Sequence, residues 1–216
     1  MKPLNDYLTP DAAHIALLTI DTQRDFTLPG APAEIAGTMA VVPSMVRLLH
    51  AFRRAGKPII HVVRLYQEDG ANVDLCRRAD IEGGARMVVP GSDGAELVDA
   101  LKPTPTVRLD AERLLDGTMQ EIGPCEWAMY KPRWGAFYQT PLEAHLRDLG
   151  MTTLVVCGCN YPNCPRAALY EASERDFRTI LATDAVSGLY ERGVRELRAI
   201  GVALIDTDEC VALITP

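Results

Sequence analysis

Three residues of different chemical type lie at or just beyond apolar runs of the chain. Asp21 follows ALLTI directly, Lys131 closes EWAMYK, and Cys164 comes six residues after TTLVVCG. A carboxylate, an amine and a thiol are the parts of a nucleophilic hydrolysis. The carboxylate takes the thiol proton and returns it to a leaving amine, the sulfur attacks a carbonyl carbon, and the ammonium pairs with the carboxylate and favours the thiolate. Each residue also has an ordinary reading. Asp after a strand is commonly a loop or N-cap residue, most lysines are solvated, and a lone cysteine is often a small apolar core residue.

Cys164 has the most informative surroundings. It precedes Pro165, and PRAALYEASERD has the composition of a helix, with Glu171 and Arg175 spaced as an i,i+4 pair. Proline favours the first helical position, which puts Cys164 at or near the N-cap. The partial positive charge there favours a thiolate and can bring a cysteine pKa from about 8.5 into the range of roughly 3.5–7.5. Backbone N–H groups at the same helix start can hold an oxyanion, a contribution of about 3 kcal/mol per donor. From spacing alone, the nucleophile and the core cysteine both stand.

The elements that must position these residues alternate in type. HIALLTI, PIIHVVRL, EWAMYK, TTLVVCG, FRTILAT and VALID read as strands. Between them, helices are predicted over 39–56, 140–149, from just after Asn163, and over 191–200. The first carries Val42, Met45, Val46, Leu49 and Phe52 near a 3.6-residue period and stops at Gly56, with Pro58 beyond it. Apolar runs separated by helices argue a parallel sheet covered on both faces, a single three-layer α/β/α domain over 1–216. Residues 66–125 interrupt the pattern with Gly83-Gly84, Pro90-Gly91 and Pro103 to Pro105. They are expected to form a long irregular segment with short helices near 95–101 and 111–118. A pocket cover and a plain surface insertion are both open. Ligands of open parallel sheets bind beyond the carboxyl ends of the strands, so the acid, the amine and the thiol are expected at one edge.

Composition excludes several classes. Hydrophobic residues at 48% and charged residues at 24% rule out wholesale disorder. Lys plus Arg number 22 against 29 Asp plus Glu, a formal charge of −7, which disfavours a nucleic-acid or anionic-membrane surface. The same acidity would suit a cationic or neutral small molecule. No run approaches the roughly 20 apolar residues of a membrane span, and MKPLNDYLTPDAAH lacks the apolar core of a secretion signal. The six cysteines form no C-x-x-C pair, so the expectation is a cytoplasmic protein with reduced thiols.

Taken together, ALLTIDTQRDF, YKPRWGAF and VVCGCNYPNCPRAALYEASERDFRTILATDAVSG resemble the isochorismatase-like cysteine hydrolases. The resemblance implies a six-stranded, mostly parallel sheet with helices on both faces. It implies Asp21 as general base, Lys131 as the lysine of the triad, and Cys164 as a nucleophile that forms an acyl-thioester. It also implies an oxyanion hole from the N–H groups of Asn160 and Cys164, with a cis bond between Cys159 and Asn160, although such a bond costs about 3–4 kcal/mol. Gln23, Phe26, Trp134, Phe137 and Tyr161 match or neighbour pocket positions of the family, whose members commonly form homodimers or homotetramers.

Two departures narrow the chemistry. Isochorismatases that cleave a vinyl ether lack the cysteine, so its presence points to a C–N bond. Nicotinamidases usually carry an Asp-x-His metal motif after the second strand, where this chain has HVVRLYQEDGANVDLCRR. Cys157, Cys159 and Cys164 lack an obvious fourth metal ligand, so no metal or other cofactor is expected. NYPNCPR looks closer to a branch that includes streptothricin-hydrolase-like enzymes, which would suit a cationic lactam. The expected function is hydrolysis of a small amide, lactam or ureido compound. The alternatives are a nicotinamidase-like amidase, a binding protein on the same scaffold, and a redox sensor pairing Cys164 with a second thiol such as Cys159.

Overall fold

The computed structural model describes residues 5–215. Seven strands form one sheet: β1 (Ile15–Ile20), β2 (Ile59–Val63), β3 (Gln120–Gly123), β4 (Glu126–Tyr130), β5 (Thr153–Gly158), β6 (Arg178–Val186) and β7 (Ala203–Ile205). Their order across the sheet is β3-β4-β2-β1-β5-β6-β7. Every neighbouring pair is parallel except β3 with β4. Six strands coincide with the apolar runs. The seventh, β3, is QEIG, partly exposed along its length; an edge strand with one aliphatic residue leaves no hydrophobic run to read.

The helices are α1 (Arg24–Thr27), α2 (Thr38–Arg54), α3 (Leu75–Glu82), α4 (Ala111–Leu115), α5 (Leu142–Asp148), α6 (Cys164–Ser173), α7 (Glu191–Ala199) and α8 (Thr207–Ile214). The predicted helices near 39–56, 140–149 and 191–200 are α2, α5 and α7. The closing helix α8 has no counterpart in the predicted elements. Its start is a capping box, in which Asp206 accepts from the Glu209 N–H and the Glu209 side chain accepts from the Asp206 N–H. Among the described residues no helix is long and apolar enough to cross a membrane.

Side chains of successive strand residues point to opposite faces, and the core divides accordingly. Ala16, Leu18 and Ile20 of β1 pack with Leu146, Leu169 and Leu197 of α5, α6 and α7. Ile15 and Leu17 pack on the other face with Met45, Leu49 and Phe52 of α2 and Ile214 of α8. Fully burying side chains of this size contributes about 1.5–3 kcal/mol each. Segment 66–125 is more ordered than its turn residues suggest. Tyr66, Val73, Ile81, Met87, Val88, Leu97, Leu109 and Leu114 form a third apolar cluster with Phe26 and Val63 beside the carboxyl end of β2. Helix α3 escapes a pattern search because Ile81 is its one buried residue; a helix with a single anchor shows no period.

A buried polar network ties the sheet to α2. Glu126 Oε1 lies 2.7 Å from His61 Nε2, and Arg53 donates to both carboxylate oxygens at 2.8 and 2.7 Å. His61 Nδ1 lies 2.8 Å from Thr19 Oγ1, so β1, β2, β4 and α2 are joined. Burial pushes the Glu126 carboxyl up, but its bonds to Arg53 and His61 outweigh this and hold it at about 2 against an ordinary 4.5. A carboxyl with a depressed folded pKa stabilises fully above its unfolded pKa and loses that contribution as pH falls through the folded one. The stability gap between wild type and Glu126→Gln in urea melts should therefore be full above about pH 4.5 and shrink toward pH 2. A gap that stays constant over that range would show that Glu126 is not held by its charge.

Candidate active site

Three strand ends meet at the carboxyl edge of the sheet. Asp21 leaves β1 with its N–H donating to Val62 O at 2.9 Å and a φ of 52°. This left-handed conformation is one that Asp visits more readily than most residues. It costs of order 1–3 kcal/mol and turns the side chain off the strand. Lys131 leaves β4 with its N–H donating to Val63 O at 3.0 Å, and its side chain is fully buried. Lys131 Nζ lies 3.0 Å from Asp21 Oδ2 and donates also to Arg133 O at 3.3 Å. The other carboxylate oxygen, Asp21 Oδ1, is buried without a hydrogen-bond partner among the described residues.

The end of β5 brings in the third group. Gly158 has a φ of +117°, and a Cβ there would stand 2.2 Å from Ile20 O. Only glycine lets β5 come this close to the end of β1. Cys159 N–H then donates to Ile20 O at 2.8 Å, and the chain turns into α6, whose first residue is Cys164 with Pro165 after it. The N–H of Cys164 is therefore outside the intrahelical ladder. Burial pushes the Cys164 thiol up to about 12, the Asp21 charge adds to the shift, and Lys131 and Arg64 only partly oppose it. The shift runs opposite to the one expected from the helix start, because desolvation and the adjacent carboxylate both disfavour the charged sulfur.

A pocket of about 370 Å³, counted with its open mouth, holds both Asp21 and Cys164. An isochorismatase domain family model matches residues 15–209. The chain belongs to the isochorismatase family. A probable inactive nicotinamidase of Arabidopsis thaliana is 31% identical over 87% of this chain and 89% of its own. The ureidoacrylate amidohydrolase RutB of Methylobacterium radiotolerans is 28% identical over 91% of this chain and 75% of its own. The crystal structure of an isochorismatase family protein from Desulfovibrio vulgaris superimposes with a TM-score of 0.78 at 33% identity, covering 92% of this chain and 98% of that one. The resemblance read from the three motifs and the three-layer fold class both hold.

Within this isochorismatase-family pocket, Phe26, Trp134 and Asn160 line the walls. Gln23, Phe137 and Tyr161 do not. Gln23 is fully buried as a brace: Nε2 donates to Arg64 O and Ala95 O, and Oε1 accepts from Arg64 N–H, all at 2.7 Å. Phe137 packs into the core with its ring 5.8 Å from Phe177. Tyr161 is fully buried against Tyr190 and sits where a side chain at Gly193 would otherwise go. Aromatic and amide side chains near a motif serve the core as readily as a ligand, and their neighbours along the chain do not say which.

Two further details differ from expectation. All peptide bonds among the described residues are trans, Cys159–Asn160 included; the turn after β5 is carried by the left-handed Gly158 rather than by a costly non-proline cis bond. The Glu171 carboxylate ignores Arg175 and accepts from the Phe137 N–H at 2.8 Å, while Arg175 turns to Glu143 at 3.0 Å. Glu171 thereby clamps the Trp134 loop onto α6.

Arg64, Tyr66, Asp74, Arg77 and Asn163 also line the pocket. Arg64 ends PIIHVVR, so the strand-end rule applied to β2 reaches it. It forms a buried ion pair with Asp74 and donates to Lys131 O at 3.1 Å. Asp74 and Arg77 come from the third apolar cluster and α3, which carry no such signal. The two acids of the pocket are each paired with a cation, Asp74 with Arg64 and Asp21 with Lys131. Among the described residues no three His, Cys, Asp or Glu side chains converge.

The thiol shift is directly measurable. In a background lacking the exposed Cys76 and Cys125, iodoacetamide alkylation of Cys164 should rise with pH beyond 9 without levelling off. Asp21→Asn removes the nearby negative charge and should lower that apparent pKa. An Asp21→Asn profile identical to wild type would show that the carboxylate does not act on the sulfur.

Proposed function

We propose that this chain is a cysteine hydrolase that cleaves the C–N bond of a small amide, lactam or ureido compound, acting as one domain. The observation that carries the reading is the unpartnered Asp21 Oδ1 in a pocket shared with the Cys164 thiol, while Oδ2 is neutralised by Lys131. The amidohydrolase and nicotinamidase names of its relatives supply the bond class. Six free cysteines fit a reducing, cytoplasmic setting.

In this reading the resting site is neutral thiol beside ionic carboxylate. Burial and the neighbouring Asp21 charge disfavour the thiolate, so attack is coupled to proton transfer. Asp21 Oδ1 accepts the proton as the sulfur adds to the carbonyl carbon. The developing oxyanion meets the N–H of Cys164 at the start of α6. Lys131 balances the buried charge throughout. Collapse passes the proton from Asp21 to the departing nitrogen and leaves an acyl-thioester. Asp21 then activates the water that releases the acid and restores the thiol. No step calls on a metal.

The redox alternative is disfavoured by the same shift, since oxidant sensing needs an accessible thiolate. The binding-protein alternative remains the competitor, and one of the relatives is named as inactive.

The test is mass spectrometry of a panel of amides, lactams and carbamoyl compounds with wild type, Cys164→Ala and Asp21→Asn, chelator present. A product is expected from wild type, none above background from Cys164→Ala, and a rate lower by about 10²–10⁴-fold from Asp21→Asn. Asp21→Asn should thus lose turnover while its sulfur becomes more ionised, a combination that a merely structural aspartate does not produce. Equal product from wild type and Cys164→Ala would sink the assignment.

A further inference from the structure

We propose that Arg77 recognises a carboxylate on the substrate, so that the bond cleaved here belongs to a short acidic molecule; this rests on the hydrolase reading above and specifies its substrate class. The charges in and behind the pocket are few. Asp21 is paired with Lys131, and Arg64 with Asp74, each within the buried wall. Arg77, which lines the same pocket, is left over.

Arg77 has no ion-pair partner among the described residues. Its guanidinium donates one bond, to Met87 Sδ at 3.4 Å, and lies 5.8 Å from the centre of the Phe26 ring. A thioether is a weak acceptor, and an aromatic face supports a cation without neutralising it. A guanidinium has five N–H donors, so most of its bonding capacity is unspent. The cation is also partly desolvated, because Arg77 is half-buried and Phe26, Ile35 and Trp134 form the apolar part of the wall. A planar fork of donors in such a place matches the two oxygens of a carboxylate. Cys164 and Asp21 line the same pocket, so one small molecule can place its carboxylate at Arg77 and its carbonyl at the sulfur.

This reverses the expectation of a cationic or neutral ligand drawn from the overall charge. The −7 of the chain is a sum over the whole surface, which bulk salt screens within about 10 Å. Inside the pocket the uncompensated charge is positive.

The experiment is isothermal titration calorimetry on Cys164→Ala protein, which binds without turnover. The probes are oxamate, malonamate, succinamate and glutaramate, the methyl ester of each, and glycinamide as a cationic control. At least one of the acids should bind more than about 10-fold tighter than its ester, as expected for charge-assisted bonds. Adding Arg77→Gln should weaken that acid by about 10- to 100-fold, and Arg77→Lys should recover part of the loss. Binding of none of the acids, or an acid-to-ester ratio unchanged by Arg77→Gln, overturns the proposal. Wild-type turnover of the same compounds separates the two readings. Acid binding that depends on Arg77 without any turnover keeps this inference and removes the hydrolase; turnover indifferent to the carboxylate does the reverse.

Discussion

The site depends on one buried ion pair. Asp21 and Lys131 are both removed from water, with Nζ 3.0 Å from Oδ2. Desolvating two charges costs several kcal/mol per ion, and only close geometry with further hydrogen bonds offsets it. That requirement explains much of the surrounding structure. Lys131 Nζ takes a second acceptor from Arg133 O, its own carbonyl is held by Arg64, and Arg64 is held in turn by Asp74 and by Gln23 through its backbone. The second carboxylate oxygen, Asp21 Oδ1, is left without a hydrogen-bond partner in the pocket that the Cys164 thiol shares.

The parallel sheet makes this pair possible with residues 110 positions apart. Strands β1, β2 and β4 are neighbours in space and separated in sequence, so their carboxyl ends deliver Asp21, Arg64 and Lys131 side by side. Strand β5 lies on the other flank of β1, and Gly158 lets its end approach Ile20 closely enough for the Cys164 turn to join them. The third apolar cluster then covers this edge. It carries Tyr66, Asp74 and Arg77 into the pocket and is anchored on Val63 of β2 and Ala128 of β4. Asp21, Arg64 and Lys131 thus sit at strand ends, and Arg77 on the cover.

Charge illustrates why local and global properties separate. An acidic chain encloses a pocket whose ions cancel except for a surplus arginine. A cysteine at a helix start, a position that usually lowers its pKa, instead has it raised. In both cases the deciding terms are the neighbours within a few ångströms, since Coulomb energies in a partly desolvated site exceed those across the solvated surface several-fold.

The amino-acid sequence alone determined the six apolar strands, the principal helices and the identities of Asp21, Lys131 and Cys164. Each of these depends on local information: burial periodicity within a few residues, and a reactive side chain at or soon after a run that must end at the sheet edge. Arg64 was legible by the same rule. The edge strand β3, helix α3 and the burial of Gln23, Phe137 and Tyr161 were not, because a single anchoring residue or an aromatic beside a motif has no period that tells core from pocket. Only the tertiary structure decided that Asp21 meets Lys131, that burial pushes the Cys164 thiol up, that Glu171 clamps a loop instead of pairing with Arg175, and that Arg77 stands in the pocket without an acid. These are sums over groups brought together from distant parts of the chain, and no window along the sequence contains them.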